Sequence, residues 1–542
     1  MKIKENKISI IVVIPAKADS KRLPNKNMTL IGGKPLLYYT IRAAKECKSV
    51  NKIYVSTDSE EIARFAKEEG IAVIMRPSEL GGETPVVNVY RHALESIAEK
   101  DVTHIVALQP DHPDRTVDLE KTIRYALEKN LDDLISVDSS GRKNGSIRIM
   151  RASALREGRI STNLGLVMDN ATNIHSPRDV RLAQVRLERQ ESPFIIRIKN
   201  KIISKEAPTF IISEGACNHM CDIEIAKKMI DEALAAGADA IKFQTYKAEK
   251  LVAKDTSTYW NYSSVKSQYE YYKKLDKFDR PEYKILFDYA KDKDIIVFSS
   301  PFDIDSADML NDLGAPLFKI ASCLITDKRL LQHIARFNKP IILSTGGSEL
   351  DEIQEAVDIM YSEDNYSLIL MACTLSYPTK NKDAHLLRIR KLTELFPEAI
   401  VGCSDHTEPD ESMIIPSIAV ALGAKVIEKH FTLDRTWTGS GHSFSVDPHL
   451  LKKMIHNVRL TEELLGKEML EVKEAEQKTR ESARMSIIAR RDIRKGEVIQ
   501  EDMLTVRRPG LGISPKFLDD VIGKKTRKDI SSGEQLKWDD IE

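Results

Sequence analysis

Apolar positions along the chain fall into two repeating patterns. Over residues 1–188, the runs ISIIVVIPA, KIYVST, THIVALQP and DLISVD are short, continuous and rich in β-branched residues. Between them, PLLYYTIRAAKEC and DSEEIARFAKEEG repeat apolar positions at helical spacing. That alternation predicts a doubly wound α/β sheet of parallel strands. About residues 186–206, RLERQESPFIIRIKNKIISKE, the charge rises and the alternation lapses, which reads as a connector (linker 189–206) with a short hairpin.

The alternation resumes at 207 and its strands can be counted. FIISEG (210–215), AIKFQT (240–245), IIVFSS (295–300), LFKIAS (317–322), PIILSTGG (340–347), LILMAC (368–373), IVGCSDH (400–406) and KVIEKH (425–430) are each separated by a helix-like segment. Eight β–α units in about 220 residues is the count and size of a (β/α)8 barrel, placed at 207–465. A charged linker, 466–482, leads to a small β-rich C-terminal domain, 483–542, with KG and PG turns.

Composition narrows the function classes. Lys+Arg and Asp+Glu both number 82, so the formal net charge is zero and the basic excess of a nucleic-acid binder is absent. Apolar residues make up 42%, enough for ordinary cores, and no run approaches the length of a membrane span. The start, MKIKENKISIIVVIPAK, has no signal-peptide cleavage pattern, and its apolar part suits a buried first strand. Six scattered cysteines, at 47, 217, 221, 323, 373 and 403, read as reduced thiols. The expectation is a cytoplasmic protein without nucleic-acid or membrane partners.

Barrel chemistry sits at the C-terminal ends of the strands, and here most of those ends are polar: SEG, KFQT, SS, KIAS, STGG, CSDH, EKH. His406 and His430 end neighbouring strands, which suits a divalent metal, with Asp405 and Glu428 available to orient the imidazoles. Lys242, Lys319, Ser300, Ser322, Ser344 and Ser404 form a ring of cations and hydroxyls suited to a small anion bearing phosphate and carboxylate. Glu214 is either a base or the salt-bridge partner of one of the lysines.

At these residues the chain resembles the sialic acid synthase family, which condenses phosphoenolpyruvate with an N-acetylhexosamine-type sugar. EGACNH, GADAIKFQT, FKIAS, ILSTGG, GCSDHT, EKHFTLDR and RRPGLGISP occur in the family's order over about residues 193–542. The resemblance implies a barrel followed by an antifreeze-like (SAF) domain. It makes His406 and His430 ligands of Mn²⁺ or Mg²⁺, and Glu214, Lys242, Lys319 and both histidines catalytic. It places Ser300, Ser322, Ser344 and Ser404 around phosphoenolpyruvate, and Gln244 and Tyr377 beside the amino-sugar acceptor. It also implies a homodimer with swapped SAF domains, in which Arg508 reaches the partner's active site. Three positions depart from the family: Leu324 and Leu375 stand where Glu and Asn are usual, and Gly441 stands where an Asp is usual.

IPAKADSKRLPNKN (14–27) resembles the nucleotide loop of CMP-sialic acid synthetases, and the likeness continues to about residue 184. By that resemblance, Lys17, Lys21, Arg22, Asn27, Arg76 and Gln109 contact CTP, with Mg²⁺ if the domain is active. Departures are heavier here. Asp19 intrudes in the phosphate loop, QPDHPDR replaces QPTSPLR, and Asn173 and His175 occupy positions of Mg²⁺-binding aspartates. Two readings stay open: a bifunctional nonulosonic-acid enzyme, or a single-activity synthase whose N-terminal domain is a binding or assembly module. A synthase using a different sugar acceptor is a further alternative.

Overall fold

The computed structural model describes residues 8–18, 20, 23–81, 84–99, 101–138, 141–158, 161, 163–191, 194–260, 265–467 and 469–542. They form two compact units, one ending at Leu465 and one running from Gly466 to Glu542.

The first unit opens with a seven-stranded sheet. Its strands are β1 (Ile10–Pro15), β2 (Lys52–Thr57), β3 (Ala72–Met75), β4 (His104–Leu108), β5 (Asp133–Val137), β6 (Lys143–Arg151) and β7 (Leu164–Met168). They lie in the order β3-β2-β1-β4-β6-β5-β7. Helices cover both faces, so β1 and β4 are apolar without alternation: Ile10, Val12 and Ile14 pack on one side, Ile11 and Val13 on the other. One strand departs from the parallel sheet that the sequence predicts. β6 runs antiparallel to both β4 and β5. The link from Val137 to Lys143 is too short for the crossover that a parallel neighbour needs.

A helix spanning Pro177–Glu191 joins this sheet to the barrel, so the predicted connector is helical for its first residues. Arg178 pairs with Asp358 at 3.2 Å and Arg181 with Asp364 at 3.0 Å. Arg186 bridges Asp114 of the sheet region (3.6 Å) and Glu398 of the barrel (3.2 Å). The expected hairpin follows, β8 (Ile196–Ile198) and β9 (Lys201–Ile203). Its Ile196, Ile198 and Ile203 enter the barrel's interior core, and so close its N-terminal end.

The barrel has eight parallel strands: β10 (Phe210–Ala216), β11 (Ala240–Thr245), β12 (Ile296–Pro301), β13 (Phe318–Ile320), β14 (Ile341–Ser344), β15 (Leu368–Ala372), β16 (Ile400–Asp405) and β17 (Val426–His430). The hydrogen-bonded order is β12-β11-β10-β17-β16-β15-β14-β13, with β12 and β13 packed across the seam. Interior positions alternate along each strand. Phe210, Ile212, Ala240, Ile296, Phe298, Ile342, Ile369 and Val426 build the apolar floor. Above them the interior turns polar.

The second unit carries a helix, Glu474–Ala483, and paired antiparallel strands β18 (Ser486–Ala489) and β19 (Leu504–Arg507). Ile487, Ile493, Ile499, Val521, Ile530 and Leu536 form its core. Among the described residues, no helix is long and apolar enough to cross a membrane. All six cysteines are free thiols.

Candidate functional site

Strand register brings the predicted barrel residues together. Glu214 of β10 lies opposite Lys242 of β11 and His430 of β17, and Ser404 of β16 lies opposite Glu428. Lys242 contacts Glu214 directly, reaches Ser300 at 3.2 Å and stands 3.7 Å from Glu428. Lys319 donates to Glu428 at 2.8 Å, as does Ser404. Gln244 donates to Glu214 at 3.1 Å. Both lysines and both glutamates are 3% exposed or less. The ring expected to be cationic is therefore threaded with two carboxylates, of which Glu428 was not assigned there from sequence. Its place two residues before His430 on one strand is the signal that puts it on the interior face.

The two carboxylates differ in proton affinity. Burial pushes Glu214 up to about 7, against the pull of Lys242. Burial also opposes the charge on Glu428, but Lys242 and Lys319 outweigh it and hold that carboxyl well below its usual range. With Glu214 protonated, an entering anion meets two ammonium groups and one carboxylate.

The imidazoles lie above this layer, their ring centroids 5.5 Å apart. Nδ1 of His406 donates to the Thr374 carbonyl at 2.7 Å, which leaves Nε2 on the Ser404 side. Nδ1 of His430 is buried and has no hydrogen-bond partner among the described residues. Burial pushes His406 down to about 4 and His430 well below its ordinary value. Two neutral imidazoles, one with an orphaned buried nitrogen, fit a divalent cation. Among the described residues no third His, Cys, Asp or Glu completes a cluster, so water and substrate would fill the remaining positions.

The carboxylates expected to orient these rings do not do so. Asp405 pairs with Lys429 at 2.8 Å and caps the Thr407 amide, while Glu428 turns to Lys319. Alternation explains both: Asp405 and Lys429 face out of the barrel, whereas Ser404 and Glu428 face in.

An aromatic cavity of about 130 Å³ adjoins the imidazoles. Gln244, Ser322, Tyr377 and His430 line it, with Tyr246, Tyr272, Phe302, Leu375 and Phe444. The Tyr377 ring lies 4.3 Å from that of His406. Ser322 accepts from the Gly346 amide at 3.1 Å, and Ser344 ends β14 in a buried position. Arg508 is exposed in the second unit, in the segment after β19.

In the N-terminal sheet, a cavity of about 510 Å³ gathers Lys17, Asn27, Arg76 and Gln109 at the C-terminal ends of the strands. Lys21, Arg22 and Asp19 lie outside the described residues. Asn27 donates to the Lys17 carbonyl at 2.8 Å, and Arg76 stands 3.4 Å from Asp58. Of the two altered acidic positions, His175 reaches the cavity wall. So do Lys26 and Asp111, paired at 2.8 Å and not singled out in the sequence. Burial works against the charge on Asp111, but His112 and Lys26 hold its carboxyl well below the usual range.

Comparison with known proteins follows the same division. The NeuB family signature matches residues 229–469, a cytidylyltransferase signature matches 11–200, and a SAF domain matches 484–542. An N,N'-diacetyllegionaminic acid synthase of Campylobacter jejuni is 37% identical over 335 residues, 61% of this chain and 99% of the relative. The chain belongs to the NeuB family. A more distant NeuB-family relative, the mouse N-acetylneuraminate-9-phosphate synthase, is 33% identical over 62% of this chain and 93% of its own length. A solved structure from Chromobacterium violaceum, provisionally named for spore coat polysaccharide biosynthesis, is 26% identical over 62% of this chain and 99% of its own. Its TM-score is 0.53.

Within this NeuB-family barrel the three departures have different consequences. Leu324 packs into the core between barrel and helices, while Ala321, Ser322 and Cys323 of that segment line the cavity. A 3-10 turn over Ser322–Leu324 breaks the strand's alternation and swings Leu324 inward. Leu375 does line the cavity. At Gly441, a Cβ would come within 2.5 Å of Cζ of Phe444, so the Phe444 ring holds the space that a side chain there would need.

Proposed function

We propose that the barrel condenses phosphoenolpyruvate with the open-chain aldehyde of an amino sugar, giving a 3-deoxy-ulosonic acid and inorganic phosphate. The observation that carries this reading is the layered site: two buried lysines and their hydroxyls beneath two neutral imidazoles, all at the C-terminal mouth. Lys242 and Lys319, with Ser300, Ser322, Ser344 and Ser404, hold the phosphate and carboxylate of phosphoenolpyruvate. His406 and His430 would hold Mn²⁺ or Mg²⁺, which supplies Lewis-acid polarisation of the aldehyde oxygen. C3 of the enol then forms a bond to the aldehyde carbon, and the aldehyde oxygen takes up a proton. Water adds to the C2 cation, and scission of the C2–O bond releases phosphate and leaves the 2-keto acid. Glu214, held up to about 7 by burial, is suited to exchange a proton with that water. Gln244 and Tyr377 steady the acceptor. Arg508 acts on a partner subunit's site in a swapped homodimer, a role supported by the family resemblance.

In the N-terminal domain, Lys17, Lys21, Arg22, Asn27, Arg76 and Gln109 bind CTP. The C2 hydroxyl of the ulosonic acid attacks the α-phosphorus, releasing pyrophosphate and forming a CMP ester. The cavity's Lys17, Arg76 and Gln109 support nucleotide binding, and the Asp111 carboxylate supports a hard cation at its rim. Both activities are expected to operate in the cytoplasm.

Mass spectrometry of a reaction containing phosphoenolpyruvate, Mn²⁺, Mg²⁺, CTP and a panel of amino-sugar acceptors tests both halves. A CMP-linked ulosonic acid is the expected product. Free ulosonic acid alone would reduce the N-terminal domain to a binding module, and neither product would refute the condensation reading.

A further inference from the structure

The ladder between β16 and β17 ends with the rungs Ser404–Glu428 and Asp405–Lys429. His406 follows the end of one strand and His430 ends the other, and among the described residues no further rung ties them together. The backbone of His406 is committed elsewhere, its carbonyl accepting from the Thr379 amide at 2.8 Å. Its ring is oriented by the Thr374 carbonyl. These bonds leave open the distance from one imidazole to the other, and that distance decides whether one cation reaches both.

Each of the last two rungs carries a side-chain link, on opposite faces of the barrel wall. Inside, Ser404 donates to Glu428 at 2.8 Å. Outside, the Lys429 ammonium donates to one oxygen of Asp405 at 2.8 Å and to the Thr407 carbonyl at 2.5 Å. The other oxygen of Asp405 accepts from the Thr407 amide at 2.8 Å and the Thr407 hydroxyl at 2.6 Å. Asp405 is 4% exposed and Lys429 is 1% exposed. Burying an ion pair costs desolvation energy that apolar packing would not, and the best-attested use of such a pair is to hold one arrangement against near alternatives. Here the bonds join the residues on either side of His406 to the residue before His430.

We propose that Asp405, Lys429 and Thr407 form a clamp on the outer face of the barrel, which fixes the separation of the two imidazoles and so sets the affinity of the mouth for a divalent cation. They are positioning residues: they act through the backbone of the two strand ends, and none of them lines the aromatic cavity. This rests on the metal reading of His406 and His430 above.

The test titrates the full chain with Mn²⁺ and reads the bound cation by electron paramagnetic resonance. In Asp405→Asn/Lys429→Gln both charges leave together, so no unpaired charge stays buried and the chain should fold. Its Kd for Mn²⁺ should rise about 10-fold or more, while its Kd for phosphoenolpyruvate, measured by calorimetry without the cation, should stay within about twofold. Thr407→Val keeps the shape of the side chain and removes one hydroxyl from the clamp. It should raise the Mn²⁺ Kd about threefold, and it decides the matter if the double variant does not fold. Unchanged Mn²⁺ affinity would overturn the clamp and leave the metal reading standing. An equal loss of Mn²⁺ and phosphoenolpyruvate affinity would also overturn it, because the three residues would then be merely structural. A wild-type chain that binds no Mn²⁺, or that keeps its Mn²⁺ affinity in His406→Ala, would overturn the metal reading and the clamp with it.

Discussion

The barrel mouth and the N-terminal cavity both collect cationic side chains, yet they do so by different means. In the barrel the ionisable groups sit on strands, are almost wholly buried and meet each other inside the mouth, Lys242 against Glu214 on the neighbouring strand and Lys319 against Glu428 across the interior. In the N-terminal cavity the groups come mainly from loops after the strands. Their pairs are partly solvated, such as Lys26–Asp111 with side chains 12% and 16% exposed. A site built on strand ends is fixed by the fold itself. A site built on loops can take a change such as His175 without disturbing a strand, and its chemistry is more open to change.

That contrast can be broken at several points. The largest effect is expected for His406→Ala, which should cut acceptor-dependent phosphate release by about 10²–10³-fold or more. Pyrophosphate release from CTP with supplied ulosonic acid should be unaffected, because the two sites lie in separate parts of the unit. A parallel fall in both activities would contradict their independence.

Lys319→Met leaves Glu428 buried beside a single lysine at 3.7 Å. A loss of about 3–5 kcal/mol in urea unfolding is expected, and a loss below 1 kcal/mol would mean that the carboxylate finds other compensation. Arg186→Met probes the joint between the two regions, where Asp114 and Glu398 both lose their cation. About 3 kcal/mol should be lost, and the sheet and barrel should no longer unfold in one transition. A single unshifted transition would refute the role of the bridge. The smallest effect is expected for Lys26→Ala, which leaves Asp111 in the nucleotide cavity with His112 as its remaining partner. CTP affinity, measured by calorimetry, should fall about tenfold, while condensation remains at the wild-type rate.

The same contrast explains how much was legible in the sequence. The eight barrel strands stand out because buried parallel strands are continuous Val/Ile runs, and a polar residue at the end of such a run marks the mouth. His406, His430, Lys242 and Lys319 follow from that. Which way a residue faces depends on strand phase, and phase was the missing quantity for Asp405 and Glu428, both assigned to the imidazoles. A 3-10 turn had the same effect at Leu324. In the sheet, the reversed direction of β6 follows from a link of few residues, a feature of loop length rather than of strand pattern. Phe444 was invisible because its role depends on the space left by Gly441, three residues away.

Acceptor-dependent release of phosphate from phosphoenolpyruvate is the most direct test of the barrel reading. With Mn²⁺ present, release should require both phosphoenolpyruvate and an amino-sugar aldehyde, and it should stop when the cation is chelated. Release that proceeds at the same rate without the aldehyde would contradict the account, because the C–O bond would then be breaking without formation of the C–C bond.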